Sequence, residues 1–400
     1  MKRLIFLFAI TGVLAFFSGC EEIEKEPLFK DSVAPGPISS PQVLNLPGAA
    51  MISYDLPTDD DLLYVKAEYT LASGIKVESK SSNYINSLMV EGFGDTEEKT
   101  VTLTAVDRSE NESIPVTVKV NPELPDVHAV GNTIEMVADF GGVQYRWENE
   151  NNAPLAFKIL ATDSTGVLAE VETVFSGVTD GLYTVRGFEP EEKEFAIVVR
   201  DRWDNYSDTV KMVVTPLFEE LLDKDKFEQL ELDNDVPSGW NAWEGKYEYS
   251  FDNDINTFNH TYAGDDGWPQ IWSVDLGVVA RLSRFRLVQR QGFPYRHGNF
   301  RLFDVYGRKE APSQDGDLAE WIPLRVAAPP YNNGCVSIRP SEQGGTAAED
   351  QEHLKNGDEF SFTLDDPEIR YIRLVVNETW GGTGFAHFAE ITFWGQVIEE

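Results

Sequence analysis

The stretch Ala105-Val106-Asp107-Arg108-Ser109-Glu110-Asn111-Glu112-Ser113 returns 94 residues later as Val199-Arg200-Asp201-Arg202-Trp203-Asp204-Asn205-Tyr206-Ser207. Asn121-Pro122 and Thr215-Pro216 keep that offset, while Val90-Glu91-Gly92-Phe93 and Val185-Arg186-Gly187-Phe188 stand 95 apart. A period of this size is too long for a solenoid unit and suits a seven-stranded sandwich of about 100 residues. Local patterning agrees. Residues 101–106 and 116–120 alternate apolar and polar side chains, as strands do when one face meets a core and the other meets water. From Asp31 onward Pro and Gly punctuate short β-branched and aromatic runs, and helical periodicity is almost absent. The repeated Asp-Arg-x-x-Asn-x-Ser segment predicts a hairpin between the last two strands of each unit, with Asp and Asn making the turn's local hydrogen bonds. The expectation is an all-β chain: sandwiches at 35–121 and 122–216, a connector at 217–235 and a third module at 236–400. The apolar spacing and acidic start of 217–224 predict a short helix in the connector.

Hydrophobic residues make up 42% of the 400, enough for several cores and against disorder as the main state. The charge balance is 33 Lys plus Arg against 68 Asp plus Glu, a net −35. A field of that sign repels phosphate backbones and anionic lipid head groups, which argues against nucleic acid as a partner. Two cysteines exclude a disulfide framework.

The chain opens with Met1-Lys2-Arg3, then a mostly apolar run to Phe17, then Ser18-Gly19-Cys20, the order of a secretory signal over residues 1–19. The run is too short for a permanent span. Small residues before the cysteine resemble a bacterial lipobox, with Phe17 where Leu is usual, and this implies lipidation at Cys20. The acidic stretch Glu21-Glu22-Ile23-Glu24-Lys25-Glu26, within a 20–34 linker, resembles the tag that sends Bacteroidetes lipoproteins to the outer face of the outer membrane. A solvated linker fits the same residues. The two sandwiches resemble fibronectin type III-like domains of Bacteroidetes surface lipoproteins.

Seven of the nine Trp residues fall in the third module: Trp240, Trp243, Trp268, Trp272, Trp321, Trp380 and Trp394. Trp272 and Trp394 stand in strand patterns and are expected in the core. Three motifs occur in order: Ser250-Phe251-Asp252-Asn253-Asp254-Ile255-Asn256-Thr257, then Trp268-Pro269-Gln270-Ile271-Trp272-Ser273-Val274-Asp275-Leu276-Gly277, then Phe303-Asp304-Val305-Tyr306-Gly307. With Ile372-Arg373-Leu374-Val375-Val376 and Ala389-Glu390-Ile391-Thr392-Phe393-Trp394-Gly395, they resemble a discoidin or coagulation factor type C domain, a galactose-binding-like β-jelly roll. A polar insertion at about 332–356 departs from that pattern, as does Asn259 where the family commonly has Trp. The resemblance implies a structural Ca²⁺ held by Asp252, Asp254, Thr257 and Glu390. Oxygen donors of this kind suit that ion. An EF-hand is excluded, because Thr257 and Ala263 occupy the positions that need Gly and Glu. An Asx-rich turn without metal is the simpler reading of the same loop. The resemblance also implies a sugar site on the loops at one end, with polar candidates His260, Arg290, His297 and Asn299 and aromatic candidates Tyr262, Trp268, Trp380 and Phe385. A sugar offers fanned hydroxyls and apolar C–H faces, so such a site needs charge-assisted donors beside exposed rings.

No His-Glu-x-x-His, Gly-x-Ser-x-Gly, phosphate loop or dinucleotide fingerprint occurs. The resemblance to Bacteroidetes surface lipoproteins with a discoidin-like module implies non-catalytic glycan binding at the cell surface, presenting polysaccharide to a SusC/SusD-like uptake system. A structural or protein-docking subunit that binds no sugar stays open, since exposed aromatics serve protein partners equally well.

Overall fold

The computed structural model describes residues 31–236, 238–263, 267–329 and 332–399. The signal segment, Cys20 and the acidic run after it lie outside the described residues.

In the first unit a three-stranded sheet, Ser39–Leu46, Ala49–Asp55 and Ser87–Glu91, faces a four-stranded one ordered Lys76–Ser82, Leu62–Thr70, Lys99–Asp107, Val116–Val120. The period of two does the folding: Ala50, Ile52 and Tyr54 from one sheet meet Val65, Ala67 and Tyr69 from the other, all buried. The second unit repeats the plan. Glu135–Asp139, Gly142–Glu148 and Asp180–Val185 form the smaller sheet, and Leu168–Ser176, Leu155–Thr162, Lys193–Arg200 and Val210–Val214 the larger. The repeated heptad of residues forms the predicted turn in both. Asp107 Oδ1 accepts the Ser109 and Asn111 N–H groups, each at 2.8 Å. Asp201 Oδ1 does the same for Trp203 and Asn205, at 2.8 and 2.9 Å. One turn thus closes the last hairpin of each sandwich.

The turns differ at three positions, Ser109/Trp203, Glu110/Asp204 and Glu112/Tyr206, and the first of these joins the modules. Where the first turn has Ser109, the second has Trp203, whose ring lies against Gly92 so closely that a Cβ there would sit 2.7 Å from it. Gly92 also has φ +92°, which disfavours any side chain. Asn205 Nδ2 donates to Gly92 O at 3.2 Å, and His128 Nε2 lies 2.9 Å from Gly94 O.

The connector is not helical. Glu220–Leu221 adds a short strand to the edge of the last strand, Leu222 N–H bonds Phe393 O at 3.0 Å, and one 3₁₀ turn follows at Lys224–Lys226. Burial of Leu222 and edge pairing with the third module override a weak local helical pattern.

In the third module one 19-residue strand, Gln270–Val288, serves both layers of a jelly roll. Its first part pairs with Ile369–Thr379 and its second with Glu390–Glu399. The strand turns the corner at Gly277, with φ +71°, where a Cβ would meet Lys226 O at 2.4 Å. Trp240, Trp272, Phe285, Phe300 and Phe303 are fully buried between the layers. Trp394 is half-buried beneath the Arg284 guanidinium, 4.2 Å above its ring. The polar insertion folds as the helix Ala347–Asn356, started by a Thr346/Glu349 capping box.

Candidate functional site

The loops at one end of the jelly roll are laced together by backbone bonds. Ala242 N–H donates to His260 O at 2.8 Å, Thr261 N–H to Ala386 O at 3.0 Å, and His387 N–H to Gly298 O at 2.9 Å. Between them opens a pocket of about 580 Å³ whose walls include Trp243, Phe258, His260, Arg290, Phe293 and His297. Glu244, Ala263, Phe385 and His387 complete it.

Arg290 is the one Lys or Arg side chain among the described residues of the lining. Its guanidinium sits 3.4 Å above the Phe258 ring and 4.8 Å from that of Phe293, a planar cation held between two aromatic faces. Burial pushes its pKa down, but a guanidinium keeps its charge at any physiological pH. The backbone beneath it is pinned by Asn299, whose Oδ1 accepts the Arg290 N–H at 2.8 Å and whose Nδ2 donates to Phe293 O at 2.6 Å. His387, fully buried, accepts the Gly298 N–H on Nε2 at 3.2 Å, so its Nδ1 carries the proton facing Asn299 Oδ1 at 3.1 Å. Burial holds His387 well below the usual histidine range, and burial lowers His260 as well. Both rings are neutral at pH 7. His260 stacks on Phe385 with centroids 5.0 Å apart, and Phe293 meets His297 at 4.2 Å.

Trp243 stands at the pocket wall with 73% of its surface exposed and a backbone φ of +58°, an unfavourable conformation for a bulky residue. His297 also has positive φ, +55°. The arrangement offers a fixed cation, neutral imidazole edges and an exposed ring around a concave volume, which suits a polyhydroxylated ligand with apolar C–H faces. Among the described residues of the lining, Glu244 is the single carboxylate.

Three family models match the chain, each described as a domain of unknown function: DUF4959 over residues 35–122, DUF5126 over 123–225 and DUF5000 over 243–395. No curated protein matches. Among solved structures, the SusE-like protein BT2857 is 31% identical, with 68% of this chain and 100% of that one covered and a TM-score of 0.43. This chain belongs to the SusE-like proteins. Its jelly roll is also similar to a family 32 carbohydrate-binding module of Clostridium perfringens NanJ solved with galactose, at 17% identity and TM-score 0.31, covering 44% of this chain and 98% of that one. A coagulation factor 5/8 type C domain from Bacteroides fragilis is 14% identical, with TM-score 0.32 and coverage of 45% and 98%.

Of the sugar-site candidates, this SusE-like protein brings His260, Arg290, His297 and Phe385 into one pocket. The four others lie outside the lining of that pocket. Asn299 is fully buried with its amide committed to the loop, so it positions Arg290 and meets no ligand. Trp380 donates to Ser337 Oγ at 3.2 Å and packs edge-on against Tyr295, at 5.4 Å. Trp268 and Tyr262 are each 46% exposed and contribute nothing to the lining. Trp243, Phe258, Phe293 and His387 were not singled out by sequence motifs. Trp243 carried no local sign of its role, whereas Phe293 and His297 both lie in the run that Arg290 and Asn299 flank.

The implied Ca²⁺ site fails a fit test on the side chains present. Glu390, 5% exposed, pairs through Oε1 with the Lys224 ammonium, 6% exposed, and its Oε2 accepts the Asn253 N–H at 3.1 Å. Burial pushes Glu390 up to about 7, and Lys224 is the largest influence opposing that rise. Asp254 Oδ1 turns onto its own loop, accepting Asn256 N–H at 2.9 Å, while Thr257 Oγ1 lies 2.9 Å from Asp252 Oδ2. Among the described residues, carboxylates converge as a metal-sized trio only at Asp31, Asp61 and Asp107, in the first module. The 252–257 loop is an Asx-rich turn tied to a lysine-neutralised glutamate.

Proposed function

We propose that this protein is a non-catalytic glycan-binding lipoprotein of the cell surface that captures polysaccharide for a SusC/SusD-like uptake system. The observation that carries the reading is the pocket that holds Arg290, where a stacked cation, His260 and His297 edges and the Trp243 and Phe385 rings face one concave volume. Concavity favours a sugar over a protein face, which would need about 800 Å² of flatter surface per partner. One shallow polar site gains little net energy per hydrogen bond, so retention depends on many copies side by side on one membrane. Cys20 supplies the tether by lipidation, the two sandwiches act as the spacer, and the jelly roll is the binding head. Among the described residues no helix is long and apolar enough to cross a membrane.

Affinity electrophoresis of the full chain against plant, host and microbial polysaccharides tests the binding. Selective retardation by one glycan class, lost in Arg290→Ala and in Trp243→Ala at unchanged melting temperature, is the expected result. Uniform failure of a folded chain would move the reading to protein docking. Membrane release of Cys20→Ala tests the anchor separately.

A further inference from the structure

The resemblance to discoidin-like domains implies a divalent cation beside Glu390, where this chain places a primary amine. Lys224 reaches Glu390 from outside the jelly roll, from the 3₁₀ turn that follows the connector's edge strand. Both side chains are almost wholly buried. A buried carboxylate without a counter-charge is costly, and one already paired with an ammonium on one oxygen and a backbone N–H on the other has its charge compensated, so a divalent cation there would meet the ammonium's repulsion. The remaining carboxylates turn onto their own loop. Asp252 Oδ1 accepts the Asp254 N–H at 2.9 Å, Asp254 Oδ1 accepts from Asn256 Nδ2 at 2.8 Å, and the one Thr257 hydroxyl proton is shared between Asp252 and Asp254 O.

We propose that Lys224 is an internal substitute for the structural cation: its ammonium neutralises Glu390, and Glu390 in turn holds the 252–257 loop through Asn253. The third module then needs no Ca²⁺. The anchor is covalent and comes from the connector, so the loop end of the jelly roll is complete only when residues before 236 are present. A fragment starting at 236 leaves Glu390 without its counter-charge. The inference is independent of what the pocket binds, and its test reads stability and ion binding alone.

The experiment uses the full chain. Melting is followed by Trp fluorescence in EDTA and in about 10 mM Ca²⁺, a concentration that saturates extracellular sites of about 10⁻³ M. Ca²⁺ is also titrated calorimetrically. The expected result is no shift in melting temperature with either treatment, a lowered temperature in Lys224→Met, and recovery of most of that loss in Lys224→Met/Glu390→Gln, where the uncompensated charge is gone. A Ca²⁺-dependent rise of about 3 °C or more in the wild type that disappears in Glu390→Gln would overturn the proposal. So would a double variant as unstable as the single one. A rise that survives Glu390→Gln belongs to another site and leaves Glu390 to the lysine. Should Lys224→Met fail to fold, the wild-type melts and titration still decide.

Discussion

Arg290 is positioned by two buried groups and two half-buried rings. Asn299 and His387 fix its backbone, and Phe258 and Phe293 fix its plane. Its replacement by Ala should weaken glycan binding about tenfold or more, the scale of a charge-assisted hydrogen bond. Arg290→Lys should recover little, because an ammonium has neither the planar fork nor the stacking surface. Trp268→Ala should leave retention unchanged, and a loss in that variant would extend the site beyond the pocket described. The histidines make a pH prediction. His387 and His260 are depressed by burial, so the unfolded chain takes up protons near pH 6.5 that the native state refuses. Stability is full above that pH and falls below it, with His387 contributing at most about 1.4 kcal/mol per pH unit. His353 opposes this: its hydrogen bond to Asp358 raises its pKa, so its contribution is present at low pH and is lost as pH rises through that value. Urea unfolding at about pH 5 and pH 7.5 should show the acid loss, and His387→Gln should shrink it. An unchanged difference would remove His387 as its source.

At the scale of elements, the insertion is a brace for the pocket. Asp350, buried on its helix, accepts Arg339 Nε at 2.8 Å, Ser341 N–H at 2.8 Å and Ser341 Oγ at 2.7 Å. The same helix reaches the Arg290 loop: Tyr295 Oη donates to Asp350 O at 2.9 Å and Gln291 Nε2 to Leu354 O at 2.8 Å. Asp350→Ala leaves three donors unpaired and should cost about 1–3 kcal/mol, with glycan affinity falling alongside. Differential hydrogen exchange would locate the loosening in the 290–299 loop. Exchange confined to the helix would separate the brace from the site. The insertion's polarity was plain in the sequence, but its capping box specified only a helix start. Which loop the helix supports depends on bonds between residues more than fifty positions apart, such as Tyr295 with Asp350.

On the scale of the molecule, the modules are docked by particular side chains. Trp203 and Asn205 seat the second sandwich on Gly92 and Gly94 of the first. Glu219 accepts from Arg186 of the second sandwich at 3.5 Å and from Arg284 Nη2 of the jelly roll at 3.0 Å. Trp203→Ala should free the first joint, raising the radius of gyration in small-angle scattering with little change in the cores. An unchanged radius would mean that Arg202–Glu91 and the His128 bond suffice. The sequence by itself determined the all-β class, the twin sandwiches and the repeated Asp/Asn turns, because alternation of period two and short-range side-chain bonds are written in neighbouring residues. It also pointed to His260, Arg290, His297 and Phe385 through motif resemblance. Only the tertiary structure decided that Asn299 supports rather than binds, that Trp243 joins the pocket, and that Lys224 meets Glu390. Those outcomes depend on burial and on pairings across as many as 166 residues, which no local pattern encodes.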